Sequence, residues 1–519
     1  MRRGVAVFAA AFVVCQAADV YRVSGVVINQ ETGAPVPHAV VLVSRSGTTQ
    51  TISTQKTGED GRFAFELPEG KFHLVGGPRD MLQPFGIRRP DGGFGTSIIT
   101  GAAQNTSTLI FRWFPLGAIS GRVVDEAGEP VESALVQLVH SGVAAGSRVI
   151  GTAKWVRTDD RGEYRFGSVR GGSYFLAVTG KPWYTRDRGD PGGTQPLAYA
   201  PAYYPSTSDM SRAEPMVLKP GQEARADFSL SVVSGARVTV KHDAPADLKG
   251  LIALLTDGIG RGNGFQRQEN LLGAQKEFTF DAVPPGRYVV RLTGSRGTSD
   301  FSGRQVVNVN GLDVSVELQV RPYPTVAGRV LLKDPRGKLP QNLLASLVRE
   351  DTGSVISTVV RADGSFLFPS VFVTKWRPAI RGAEGYFASD IRVEGSDFRD
   401  GVIDLREGES VTLQMTANDE TGRVQGFVMS GATALEGVLV VLAPPLGAKD
   451  QVRYRGFQTD SDGSFDFKNV PAGEYLLFAV EDTEMEYANP VVVKRYLGNA
   501  KPLRVEAHAA YSENIGIEK

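Results

Sequence analysis

From about residue 20 onward the chain is written in short stretches of alternating apolar and polar residues, each closed by glycine, proline or aspartate. In Ser464-Phe465-Asp466-Phe467 the apolar side chains recur at every second position, the spacing that puts them on one face of a strand and so into a core. Other stretches, such as Val438-Leu439-Val440-Val441-Leu442, are apolar throughout. No long stretch carries the 3.6-residue stripe of an amphipathic helix. The pattern predicts an essentially all-β chain of many short strands.

The same string of elements is written about five times. The last copy opens with Arg423-Val424-Gln425-Gly426-Phe427-Val428, passes through the Val438–Leu442 run, and reaches Asp462-Gly463-Ser464-Phe465-Asp466-Phe467. It closes with Val470-Pro471-Ala472-Gly473-Glu474-Tyr475. The first copy keeps the order with Ser24-Gly25-Val26-Val27, Ala39–Val43, Asp60-Gly61-Arg62-Phe63-Ala64-Phe65 and Pro68-Glu69-Gly70-Lys71-Phe72. The second has one residue inserted between its Asp160 and Gly162. The third lacks the Asp-Gly pair but keeps Phe278-Thr279-Phe280 and Pro285-Gly286-Arg287-Tyr288, and the fourth keeps Asp363-Gly364-Ser365-Phe366 but loses the Gly-Tyr element. Read from Gly25, Gly121, Gly235, Gly328 and Gly426, the copies begin 96, 114, 93 and 98 residues apart. Periods this long mean whole domains in tandem, because solenoid repeats are shorter. Asp-Gly between two alternating runs predicts a tight hairpin turn, and about seven strands per copy predict antiparallel sandwiches.

Composition narrows the function. Fifty-seven basic and 57 acidic residues cancel in the 519-residue chain, which argues against a nucleic-acid partner, since phosphate neutralisation needs a basic excess. Sixty glycines and 29 prolines suit turns and oppose long helices. Arg2-Arg3, the apolar run Gly4–Val14 and the small residues Ala17-Ala18 read as a secretory signal peptide cut after Ala17 or Ala18. Val14 before Cys15 argues against lipid anchoring through that cysteine. Cleavage would leave a mature chain without cysteine, and no later run is long enough to span a membrane.

The motifs resemble a known family. Gly33-Ala34-Pro35-Val36-Pro37-His38-Ala39-Val40-Val41 and Gly128-Glu129-Pro130-Val131-Glu132-Ser133-Ala134-Leu135-Val136, with the D-G-x-F-x-F and P-x-G-x-Y elements, are similar to the carboxypeptidase regulatory-like domain. That domain belongs to the transthyretin-like and carbohydrate-binding-like β-sandwich group. The resemblance implies an all-β tandem array of about five antiparallel Ig-like or transthyretin-like sandwich domains. After the signal peptide at 1–18 they would occupy 19–115, 116–232, 233–322, 323–419 and 420–519, the third being degenerate. In the family the domain is a non-catalytic module, and no peptidase domain is left over here.

The side chains that could do chemistry are scattered. His38, His73, His140, His242 and His508 share no ligand spacing, so no metal, cofactor or catalytic residue is expected. Asp460-Ser461-Asp462-Gly463 with Asp466 resembles a calcium loop but lacks the third ligand before its glycine. Lys241 and Lys333 lie near first strands, where a Lys–Asn cross-link would start. The Gly76–Gly101 insertion of the first copy, with its Asp91-Gly92-Gly93-Phe94-Gly95, reads as a loop. The second copy carries a long aromatic one, Lys181-Pro182-Trp183-Tyr184 followed by Tyr199-Ala200-Pro201-Ala202-Tyr203-Tyr204. Loops on a rigid sandwich commonly carry binding function, and aromatic faces can stack on sugar rings. Trp183, Tyr184, Tyr199, Tyr203 and Tyr204 are therefore the carbohydrate-binding candidates, with packing over a domain junction as the alternative.

The sequence thus predicts an exported, non-catalytic binding or scaffold protein, secreted, periplasmic or on the outer cell surface. Its partner would be a polysaccharide, the ligand class that the resemblance implies, or a cell-envelope protein. The alternative is a structural spacer or an adhesin-like protein–protein interaction module without a sugar ligand.

Overall fold

In a computed structural model, the residues described are 19–48, 50–87, 95–144, 146–182, 196–257, 266–271, 275–445, 453–498 and 500–518. Residues 1–18, where the sequence predicts a signal peptide, and most of the Asp91–Gly95 stretch lie outside them. The described residues form two compact bodies, one from 19–87, 95–113 and 460–462, the other from the described residues of 114–459 and 463–518. The first body holds one sandwich and the second holds four, each with its own pair of sheets and its own hydrophobic cluster. Among the described residues, helix is confined to Pro490–Val493 and short 3-10 turns.

The first sandwich gives the plan. Val20–Asn29 lies at the centre of one sheet, antiparallel to Arg62–Pro68 and parallel to the closing strand Leu109–Trp113. In the other sheet Val40–Arg45 runs between Thr51–Lys56 and Gly70–Gly77. Phe63, Phe65 and Leu67 alternate inward from one sheet and Phe72 and Leu74 from the other, so period-2 patterning builds the core as expected. All five sandwiches share the parallel pairing of first and closing strands, which modifies the purely antiparallel expectation.

The Asp-Gly turn also does something other than expected. Lys56 ends a strand of one sheet and Arg62 begins a strand of the other, so the turn is a crossover between sheets and not a hairpin. Gly61 has φ +70°, a conformation that glycine adopts without steric cost, and the Asp60 carboxylate accepts from Arg62 N at 3.1 Å. The Gly61 carbonyl then accepts from Val27 N at 2.9 Å, as Gly162 does from Val123, Gly364 from Val330 and Gly463 from Val428. The turn thereby ties the crossover to the first strand. In the second sandwich Asp159 takes over the capping: its carboxylate accepts from Glu163 N at 2.8 Å, which is how the inserted residue is absorbed.

Register corrects the reading of the third copy. The aromatic after the Asp-Gly turn faces Gly25, Gly121, Gly328 and Gly426 in four sandwiches, but faces Val240 in the third. Gly235 precedes that strand. In the other four a Cβ on the glycine would fall inside the backbone carbonyl of the closing strand, at Leu109, Ala226, Leu413 and Glu513. The fourth copy's missing tyrosine has a substitute. Tyr174, Tyr288 and Tyr475 each donate a hydroxyl to the carbonyl four residues back, at 2.8 Å, and Trp376 Nε1 does the same to Phe372 at 2.8 Å.

A latch not read from the sequence recurs as well. Thr158 Oγ1 donates to Val131 O at 2.6 Å and accepts from Ala134 N at 2.8 Å. Thr57 and Thr459 hold their own loops identically.

Candidate functional site

Among its described residues the second sandwich presents the large aromatic Trp155 to solvent. Its hairpin pairs Leu135–Ala144 with Ser147–Arg157, and Gln137 stands opposite Trp155. Alternation sends Val136 and Leu138 into the core and turns Leu135, Gln137, Trp155 and Arg157 to the other face. Trp155 is left 67% exposed. A single exposed apolar side chain needs no explanation, but this one lies in a groove.

That groove has a volume of about 510 Å³, and its far wall is the strand Gln266–Asn270, which reads Gln-Arg-Gln-Glu-Asn. Leu135, Arg157, Lys181, Gln266 and Arg267 continue into an adjoining pocket of about 280 Å³. Arg157 Nη1 is anchored on Ser133 O at 3.0 Å. Burial brings the Arg267 pKa down to about 10, with Tyr288 and Glu269 opposing the fall, so the guanidinium stays charged at neutral pH. The glutamine amides both donate and accept, Arg157 and Lys181 donate, and Glu269 accepts. One apolar ring face amid donors and acceptors of both kinds suits a ligand with hydroxyls at its edge and C–H groups on its face.

The predicted aromatics are placed differently. Trp183 and Tyr184 lie outside the described residues. Tyr199 and Tyr203 are 2% and 6% exposed and belong to the second core, and Tyr204 is half-buried against it. Leu197–Tyr199 pairs with Val232–Ser234, and Ala202–Tyr203 pairs with the Gly172–Thr179 strand. Ala202–Tyr203 therefore extends a sheet of the sandwich, Leu197–Tyr199 forms a two-stranded sheet with Val232–Ser234, and the rings of Tyr199 and Tyr203 are buried. Burial, with Asp257 adding to it, pushes the Tyr203 hydroxyl up to about 12. Neither Tyr199 nor Tyr203 offers a face to a ligand, which corrects their inclusion in a stacking surface. Trp155 was missed, although Lys154-Trp155-Val156-Arg157 puts a tryptophan in the outward phase of a strand whose inward phase is Val156.

Other candidates resolve into structural contacts. Asp466 is held by both arms of Arg423 at 2.7 and 2.9 Å. Lys241 lies 4.0 Å from Glu277, and Lys333 pairs with Glu420, both as exposed ion pairs. Among the described residues no group of three or more His, Cys, Asp or Glu could hold a metal ion, and no helix is long and apolar enough to cross a membrane.

Comparison with known proteins places the first two sandwiches. No curated protein matches the sequence. Among solved structures, the TIE protein of Bacillus anthracis aligns over 97% of this chain and 75% of its own at 10% identity and a TM-score of 0.18. A minor pilin of Streptococcus agalactiae aligns over 41% of this chain and 96% of its own at 12% identity and a TM-score of 0.22. The shaft pilin of Lactobacillus rhamnosus GG gives 41%, 98%, 10% and 0.20 for the same quantities. Likeness of this size does not say what the present chain does. The carboxypeptidase regulatory-like domain family matches residues 22–75 and 118–231, the segments where the motifs are clearest. Over these two segments the chain is similar to the carboxypeptidase regulatory-like domain, within a series of β-sandwiches.

Proposed function

We propose that the chain is an exported, non-catalytic binding protein of the cell envelope or exterior, and that its ligand is a polysaccharide held in the Trp155 groove. The observation that carries this reading is the exposed indole of Trp155 beside a strand of amide and charged side chains. Export rests on the amino-terminal Arg2-Arg3 and Gly4–Val14 pattern. Trp183 and Tyr184 follow closely on Lys181 in the chain and stay candidates for the same ligand.

The test is depletion of residues 19–519 from solution by a panel of soluble and insoluble polysaccharides, alongside Trp155→Ala. Loss of at least about tenfold in affinity, equivalent to about 1.4 kcal/mol, is expected without a change in thermal unfolding, because a surface substitution usually moves stability by less than about 0.5 kcal/mol. Retention of the variant as strongly as the parent would remove the groove from the function. Failure of every glycan to retain either form would turn the search to protein partners.

A further inference from the structure

Each sandwich contains a strand that begins at or near the P-x-G-x-Y element or, in the fourth copy, at the Trp376 that replaces its tyrosine, and four of the five cover its second edge along most of its length. Gly70–Gly77 is covered by Ile98–Thr100 and Gln83–Pro84, and Gly172–Thr179 by Met216–Leu218 and Ala202–Tyr203. Gly286–Arg296 is covered by Ser299–Val309, and Gly473–Val480 by Lys501–Val505 and Ile517–Glu518. In the fourth sandwich Lys375–Arg381 is different. Val402–Asp404 pairs only with Lys375 and Trp376, and among the described residues no strand covers the second edge from 377 to 381.

A cleft of about 570 Å³ lies along that open edge. Its apolar lining includes Ile380, Phe387, Ile391 and Phe398, and two guanidiniums, Arg377 and Arg453, are balanced by two carboxylates, Asp390 and Asp400. The direction of the backbone groups follows from their neighbours. Glu350 N donates to Lys375 O on the paired side, and Leu405 N donates to Thr374 O on the other. Strand alternation then turns Pro378 and Ile380 toward the cleft. Pro378 has no N–H to offer there, which suits an edge position, so Ile380 supplies the donor and sets the register.

We propose that this cleft takes an extended, uncharged segment of a separate protein chain as an added strand beside Pro378–Arg381, with an aromatic side chain seated among Phe387, Ile391 and Phe398. The occupant's chemistry is read from the sister positions. Three of them are filled by strands that bring in a buried aromatic, Phe85, Tyr203 or Phe301. Balanced charge on the lining matches a segment without charge, and the first sandwich's own filler, Met81-Leu82-Gln83-Pro84-Phe85-Gly86-Ile87, has none. Main-chain hydrogen bonds would give affinity and the aromatic seat would give selectivity.

The probe is a labelled peptide of residues 81–87, titrated with residues 19–519 and followed by fluorescence anisotropy. Two versions N-methylated at alternate amides each block one edge of the peptide. Binding by the parent peptide is expected, with one methylated version at least about tenfold weaker and the other little changed. Hydrogen exchange at the Ile380 amide should slow on binding. Absence of binding up to about 1 mM, or equal binding by all three peptides, would overturn the proposal. Self-association of the chain that the peptide abolishes would make a second copy the occupant and overturn the assignment to a separate chain.

Discussion

Single side chains do the joining in these sandwiches. Thr158 is buried and serves two backbone groups of one loop. Thr158→Val keeps the shape and removes both bonds, leaving Val131 O and Ala134 N without their partner. An unsatisfied buried group costs roughly 1–3 kcal/mol, so the calorimetric transition of the second sandwich should fall by that amount. His242 gives a pH dependence. Its Nδ1 accepts from Ala244 N at 3.3 Å, a role open to the neutral ring alone, and burial followed by Lys276 lowers its pKa. A lowered histidine pKa means that the unfolded chain binds the proton first. Stability is then full above the ordinary value of 6.5 and falls as pH drops through the folded-state pKa. The third sandwich should lose stability as the pH falls below 6.5, and His242→Gln should flatten that slope when unfolding is followed by titration with acid. Neither role was legible from the sequence, because a threonine or histidine codes for a bond only once its partner is in place.

At the scale of elements, what could be read was whatever depends on neighbours along the chain. Phe465 and Phe467, or Phe63 and Phe65, face inward because alternation is a property of the strand itself. The Asp-Gly turn was legible as a turn with positive φ, but not as a crossover, since local geometry does not say which sheet the next strand joins. Gly328 shows the same limit. The sequence marks a glycine in a strand, and only the parallel closing strand shows why: a Cβ there would enter the carbonyl of Leu413. Gly328→Ala should force the two strands apart and destabilise the fourth sandwich by about 1–3 kcal/mol, the usual cost of overpacking, measurable as a lower unfolding midpoint. The third sandwich holds a valine at this register, Val240 opposite Val316.

For the whole molecule, tandem architecture was legible because period and motif order survive wear, even where the third copy had lost its Asp-Gly pair. The proposed binding surface was less so. Attention to aromatic density led to Tyr199, Tyr203 and Tyr204, which are wholly or partly buried, whereas Trp155 stands alone in sequence and gains its groove from the strand Gln266–Asn270 of the next sandwich. The pairing of first and closing strands has a mechanical consequence. Because the two run side by side in the same direction, tension entering through one and leaving through the other loads their hydrogen bonds in shear, all at once, instead of peeling them apart singly. The ladder runs unbroken from Thr325 to Leu332 in the fourth sandwich, whereas in the fifth it spans Arg423 to Gln425 and resumes only at the Val428–Ile515 bridge. Single-molecule stretching should therefore rupture the fifth sandwich at lower force than the fourth, forced unfolding being set by the unfolding rate. A chain built this way is suited to bearing load between two points of attachment.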